Sequence, residues 1–126
     1  MRDKKTRRRF YLHPKSLCET SYVGEGTRLW AFSHVLEGAR IGKDVNLCDH
    51  TFVEGDVSIG DRVTVKSFVA LWNGVRLEDD CFVGPGVVFA NDKYPRSKMR
   101  PKVFLKTHVR RGASLGSGAV ILGALK

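Results

Sequence analysis

The sequence predicts an all-β protein, a parallel β-helix of hexapeptide repeats with one extruded loop. Three observations carry the prediction. First, an aliphatic residue returns every sixth position through Ile41, Leu47, Val53, Ile59 and Val65, with a small or β-branched residue four places after each one. Neither a helical period nor strand alternation sustains that spacing, whereas a fixed short repeat marks a solenoid. Second, positions eighteen apart form uniformly apolar columns, as three hexads per coil require. One column reads Leu17, Val35, Val53, Leu71, Phe89; another Val23, Ile41, Ile59, Leu77; the third Leu29, Leu47, Val65, Val83. Third, the frame breaks once after Phe89, over a stretch that is strongly basic.

Taken in order, residues 1–13 read as a basic disordered tail and residues 14–126 as the β-helix. His13-Pro14 favours an extended entry into the first coil. From Leu17 onward each coil stacks on the last at a β-ladder spacing of about 4.8 Å. The small column runs Ser21, Thr27, Ser33, Ala39, Val45, Thr51, Val57, Val63, Val69, Val75, Cys81 and Val87. Gly24, Gly42 and Gly60 stack just after an aliphatic position, where a sharp corner asks for unusual dihedrals. An inserted loop is expected over about 90–102, with the frame resuming at Val103, Val109, Leu115 and Ile121.

Composition narrows the setting. The chain has 126 residues, one domain or part of one, and a net charge of +9. Residues 1–9 contribute +5 and residues 93–111 contribute +8, so the remaining body is mildly acidic. Either basic patch suits a polyphosphate ligand or nucleic acid. Three cysteines cannot all pair, Cys18 and Cys48 fall at expected turns, and a reduced cytoplasmic setting follows. No apolar run approaches the length of a membrane span or a secretory signal. The expectation is therefore of no membrane partner.

The runs LWAFSHV (29–35), LCDHTFVE (47–54), LWNGVRLEDDCFVGP (71–85) and FANDKYPRSK (89–98) resemble the hexapeptide-repeat acyltransferase superfamily. Within it they look most like the N-acetyltransferases that modify the 3-amino group of a nucleotide-linked sugar. The resemblance implies a left-handed helix, although the general rule for parallel crossovers favours the opposite hand. It implies acetyl-CoA as co-substrate, a UDP- or dTDP-linked amino sugar as acceptor, a role in cell-surface polysaccharide or lipopolysaccharide synthesis, and a homotrimer. It implies no nucleic-acid partner. The resemblance implies that relatives continue for several more hexads, coils that help form the coenzyme channel, whereas here the repeat ends near Ile121. The alternative is a non-catalytic scaffold or sugar-nucleotide binding protein.

Acetyl transfer needs a neutral amine, a positioned carbonyl and a destination for the proton. Asn91 and Asn73 follow aligned aliphatic residues by two places and should stack on adjacent coils. Their amides can orient a sugar amine or hydroxyl, and Asn73 equally suits a stabilising asparagine ladder. Asp92 and Arg96 open the loop, where Arg96 suits a diphosphate or simple solvation. Lys98, Arg100, Lys102 and Lys106 read as a diffuse field. Trp72 and Trp30, near the surface, suit base stacking or subunit packing. His34, placed at a corner, and His50, on an outward stretch, are candidate general bases. If the coenzyme thiolate accepts the proton, no histidine is required. His13 and His108 have no assigned role. No three imidazoles converge at coil offsets, so the expectation is of no metal.

Overall fold

The computed structural model describes residues 9–103 and 105–123. They form three parallel sheets and, among the described residues, no helix. The first sheet stacks Tyr11–Leu12, Arg28–Leu29, Asn46–Leu47, Thr64–Val65, Phe82–Val83 and Ser114–Leu115. The second stacks Leu17–Cys18, His34–Val35, Phe52–Val53, Ala70–Leu71, Val88–Ala90 and Val120–Leu122. The third stacks Tyr22–Val23, Arg40–Ile41, Ser58–Ile59, Val75–Leu77 and Thr107–Val109. Each coil crosses the three sheets in turn, giving a triangular β-solenoid.

The six-residue period fills its interior. Leu29, Leu47, Val65, Val83, Val35, Val53 and Leu71 are all fully buried, and Ile41, Ile59 and Leu77 nearly so. The small column lines the inner corners, where Ala39, Val45, Val63 and Val75 are buried. Each strand is two or three residues long because the next residue already turns a corner. Cohesion therefore comes from stacking between coils, not from length within a strand.

Four local features depart from the expected pattern. The helix begins earlier: Phe10 is buried and Tyr11–Leu12 pairs with Arg28–Leu29. Of the supposed tail over 1–13, residues 1–8 lie outside the described residues. Next, the register slips by one in the first coil. Cys18, not Leu17, pairs with Val35, and Leu17 is 53% exposed. The cause lies at Thr20, which is buried where Ser21 was expected. Its hydroxyl donates to the Ala39 carbonyl at 2.6 Å and accepts from the Tyr22 N–H at 3.2 Å. Burying a group satisfied on both sides offsets the lost residue of spacing. Cys18 accordingly faces inward and not a turn.

The stacked glycines are needed for space and not for dihedral freedom. Gly24, Gly42 and Gly60 are absent from the left-handed positions; the glycines that do take a positive φ are Gly26, Gly38, Gly74, Gly86, Gly112 and Gly118. A Cβ on Gly24 would run into the Gly42 carbonyl, and one on Gly60 would meet Asp79 N at 2.7 Å. Finally, the frame does not resume at Val103, which is 71% exposed. Leu77 pairs with Val109, 32 residues on, where it pairs backwards with Ile59 at 18. The insertion thus adds 14 residues, and among the described residues Thr107 and Val109 are buried where the inward pattern returns.

The corner between the third and first sheets is a ladder of charged residues. Asp61 Oδ1 accepts from Lys43 N–H, Asp79 Oδ1 from Asp61 N–H, and Glu78 Oε1 from Arg111 N–H. Arg62 grips Asp80 through two hydrogen bonds of 2.8 and 3.2 Å. That hydrogen bond holds the Asp80 carboxyl below its ordinary range and raises Arg62. The Arg111 N–H does the same to Glu78.

Two predictions arise. Gly24→Ala, forced against backbone, should cost about 1–3 kcal/mol, whereas Leu47→Ala should cost about 2–5 kcal/mol; denaturant titration checks both. Because Asp80 and Glu78 titrate lower in the folded protein, their stabilisation is full above the ordinary carboxylate value of about 4. It is lost as pH falls through the depressed values. The thermal midpoint should therefore drop on the acid side of pH 4, and Asp80→Asn should flatten that drop.

Candidate active site at the extruded loop

The loop leaves the solenoid at the corner between the second and third sheets. Leu105 N–H donates to Asn91 O at 2.9 Å and Thr107 N–H to Gly74 O at 3.1 Å, so both ends of the insertion are pinned to the corner. Within the loop, Asp92 Oδ1 accepts from Tyr94 N–H and starts a turn. Arg96 and Met99 then form an antiparallel bridge across Lys98, whose φ is 60°.

Asn73 and Asn91 stack as the spacing predicts. Asn91 Nδ2 donates to the Asn73 carbonyl at 2.9 Å, and both residues are half-buried. Asn73 is committed on two sides: its Oδ1 accepts from Asp56 N–H and its own N–H donates to Glu54 Oε1. That bonding makes Asn73 a corner cap. Asn91 Oδ1 takes no part in this ladder and is the freer amide oxygen at the loop base. Trp72, next in line, is half-buried against the core and contacts Phe52 at a ring distance of 5.8 Å. A cavity of about 270 Å³ opens beside this corner, lined by Asp92, Lys93, Leu105, Leu122 and Gly123. Asn73, Asn91, Asp92 and Trp72 share this corner through the Asn91–Asn73 bond and chain adjacency, and of the four Asp92 lines the cavity. Arg96 sits further out, exposed, with its guanidinium on the Pro95 carbonyl.

The histidines exchange the places expected of them. His34 lies on a strand of the second sheet, and His50 lies at a corner with φ 60°. His34 Nε2 contacts Glu19 Oε1 at 3.0 Å, a histidine–carboxylate pair. Three ladder steps separate its strand from Val88–Ala90, or about 14 Å. His50 is sandwiched between Phe32 and Phe68, at ring distances of 5.0 and 5.2 Å. Within one chain, neither is grouped with Asn91.

Sequence reasoning missed a second group beside the loop. Arg76, Lys106 and His108 line a recess of about 480 Å³ on the third sheet, with Ser58, Gly60, Leu77 and Glu78. The signal lay in the outward positions: Tyr22, Arg40, Ser58 and Arg76 recur at eighteen, and His108 joins them across the insertion. Attention to the inward columns hid it. Burial raises the Cys48 and Cys81 thiols, which keeps both protonated near neutrality. Among the described residues, no group of three or more His, Cys, Asp or Glu could hold a metal ion. No helix there is long and apolar enough to cross a membrane.

This architecture makes a separable prediction about Asn91. Asn91→Ala removes one part-buried hydrogen bond and should lower stability by about 1 kcal/mol. Asn73→Ala uncaps a neighbouring coil and should cost at least as much, both read from denaturant midpoints.

No protein-family model matches the chain. It is 51% identical over 112 residues to the dTDP-3-amino-3,6-dideoxy-alpha-D-galactopyranose 3-N-acetyltransferase of Aneurinibacillus thermoaerophilus. The match takes in 89% of this chain and 58% of that protein, so the chain spans somewhat over half its relative's length. The chain is a β-solenoid of hexapeptide repeats, homologous to a dTDP-3-amino-sugar N-acetyltransferase.

Proposed function

We propose that the protein transfers an acetyl group from acetyl-CoA to the 3-amino group of a nucleotide-linked amino sugar, with dTDP the favoured nucleotide. The observation that carries this is the 51% identity to an enzyme named for that reaction. The half-buried Asn91 amide, fixed on Asn73 beside a cavity, supports it from the geometry.

In the step itself, the amine lone pair attacks the thioester carbonyl carbon. The C–N bond forms, the C–S bond breaks, and the departing thiolate takes the proton from the new ammonium. Asn91 Oδ1 accepts a hydrogen bond from the amine and holds its lone pair toward the carbonyl. That is catalysis by positioning, for which misplacement by about 1 Å can cost roughly a hundredfold. Asp92 and Trp72 border the sugar. With the thiolate as proton acceptor the step requires no histidine; of the two candidates His34, backed by Glu19, is better prepared for proton transfer than the sandwiched His50.

Leu17, Phe32, Phe68 and Val88 expose half or more of their surface along the second sheet and its corner. We assign this apolar face to contact between copies in a homotrimer. Cysteines that remain thiols suit a cytoplasmic enzyme, whose product would enter cell-surface polysaccharide such as lipopolysaccharide.

The test is thiol release from acetyl-CoA in the presence of dTDP-3-amino-3,6-dideoxyhexose. Turnover is expected, with Asn91→Ala lowering it about a hundredfold at little cost in stability. Full activity in Asn91→Ala would move the site away from this corner. Calorimetry that detects dTDP-sugar but no coenzyme binding would replace the enzyme with a sugar-nucleotide scaffold. Sedimentation should give three times the chain mass, and a monomer at micromolar concentration would remove the trimer.

A further inference from the structure

We propose that the recess on the third sheet, formed around Arg76, Lys106 and His108, holds the diphosphate of the nucleotide sugar. The inference rests on the function proposed above and places the acceptor's charged group within it. The recess exists because of side-chain size. In the outward column Tyr22, Arg40, Ser58, Arg76, His108, the serine stands between two arginines, and Gly60 on the same strand's exit carries no side chain. A hollow of about 480 Å³ results, within the range of small-molecule sites.

Its lining carries Arg76, Lys106 and His108 beside one carboxylate, Glu78, and is largely set in place. Arg76 is clamped by Asp56: one terminal nitrogen donates to the Asp56 carbonyl and the other to its carboxylate, each at 2.7 Å. Its Nε–H takes no part in that clamp. His108 Nε2 lies 2.7 Å from Glu78 Oε2, and Glu78 Oε1 accepts from Arg111 N–H, so the recess's carboxylate is engaged on both oxygens. Lys106 has no carboxylate within ion-pair reach among the described residues. Arg76, held by Asp56 with its Nε–H outside the clamp, Lys106 and a histidine therefore face the hollow, and Ser58 adds a hydroxyl donor. That set suits a group with two adjacent phosphates.

The placement agrees with the amide site. Arg76 follows Asn73 by three residues, at most about 10 Å along the chain. Lys106 follows Leu105, whose N–H is bonded to Asn91 O. A sugar whose 3-amino group meets Asn91 would thus send its anomeric diphosphate around the corner onto the third sheet. Arg96, the earlier candidate for this role, is turned onto Pro95.

The experiment is titration calorimetry on the full chain with dTDP, thymidine and inorganic pyrophosphate. It compares the native protein with Lys106→Ala and with Lys106→Ala/His108→Gln. Lys106 is exposed, so its loss should leave the thermal midpoint unchanged. Lys106→Ala should weaken dTDP at least tenfold, as the loss of one charge-assisted hydrogen bond does. The double variant should weaken it further, the effect shrinking with added salt, while thymidine is unaffected. The site is refuted if dTDP binds both variants as tightly as the native chain, or if the native chain binds neither dTDP nor pyrophosphate. Acetyl transfer with an unchanged KM for the dTDP-sugar in the variants refutes this site and leaves the enzyme standing. A dTDP affinity that falls as stated, without any acetyl transfer, supports the site and refutes the enzymatic function alone.

Discussion

Everything in this fold depends on stacking coils of one cross-section at the spacing of a parallel β-ladder. A residue in one coil must fit directly above its equivalent in the coil before. Inside, this selects aliphatic side chains of similar width, which is why Leu29, Leu47, Val65 and Val83 form a fully buried file. At the corners it selects a backbone conformation. Phe32, His50 and Phe68 share a left-handed φ near 60°, as do Asp44, Arg62 and Asp80. Such positions are costly for residues with a Cβ. Five of the six are offset by a backbone bond to the coil below, such as His50 N–H to Ala31 O or Arg62 N–H to Lys43 O. A strained corner is tolerable because coil after coil repeats it and most copies are hydrogen-bonded to the last.

The same constraint separates stability from function. Inward residues and corner backbones are fixed by their neighbours, whereas outward side chains answer only to the residues above and below on one face. That freedom lets one column read Tyr22, Arg40, Ser58, Arg76, His108 without disturbing the aliphatic file behind it. Size variation within such a column is what carves a recess in an otherwise flat wall. The candidate site uses both kinds of position: a corner cap, Asn73, held by Glu54 and Asp56, supports the freer amide of Asn91.

The sequence made the interior legible because inward residues obey the period. The stacking of Asn73 and Asn91 was legible for the same reason, being a consequence of register. What escaped was whatever period alone does not encode. Leu17 kept the rhythm but lost its place to Cys18, since a two-sided hydrogen bond at Thr20 outweighed one aliphatic contact. Val103 matched the rhythm inside the insertion, but it lies in no strand and is 71% exposed. Gly24, Gly42 and Gly60 were recognised as corner residues, but their reason is the closeness of the next coil's backbone, which composition does not reveal. His34 and His50 were exchanged between strand and corner because both lie near a bend, and only the hydrogen bonds decide which residue turns.

An insertion of 14 residues in a fold this repetitive should be disruptive, yet the second and third sheets continue on either side of it. The reason is where its ends meet. Leu105 bonds back to Asn91 and Thr107 to Gly74, so the chain re-enters the corner one hydrogen bond from where it left. Gly74 is buried with φ near 99°, and a Cβ there would meet the Leu105 carbonyl at 2.8 Å. The returning strand lies closely on the coil before it because that position has no side chain. Loop closure costs rise only slowly with length, so the loop can vary while the residues at its base stay in register. Its two legs also lead to different faces. The outgoing leg presents Asn91 and Asp92 at the corner, and the returning leg delivers Lys106 and His108 to the third sheet. One insertion thereby sets an amide on one face and basic side chains on the adjoining one, the groups that the proposed amine and diphosphate contacts would use, on a scaffold whose own repeat calls for neither.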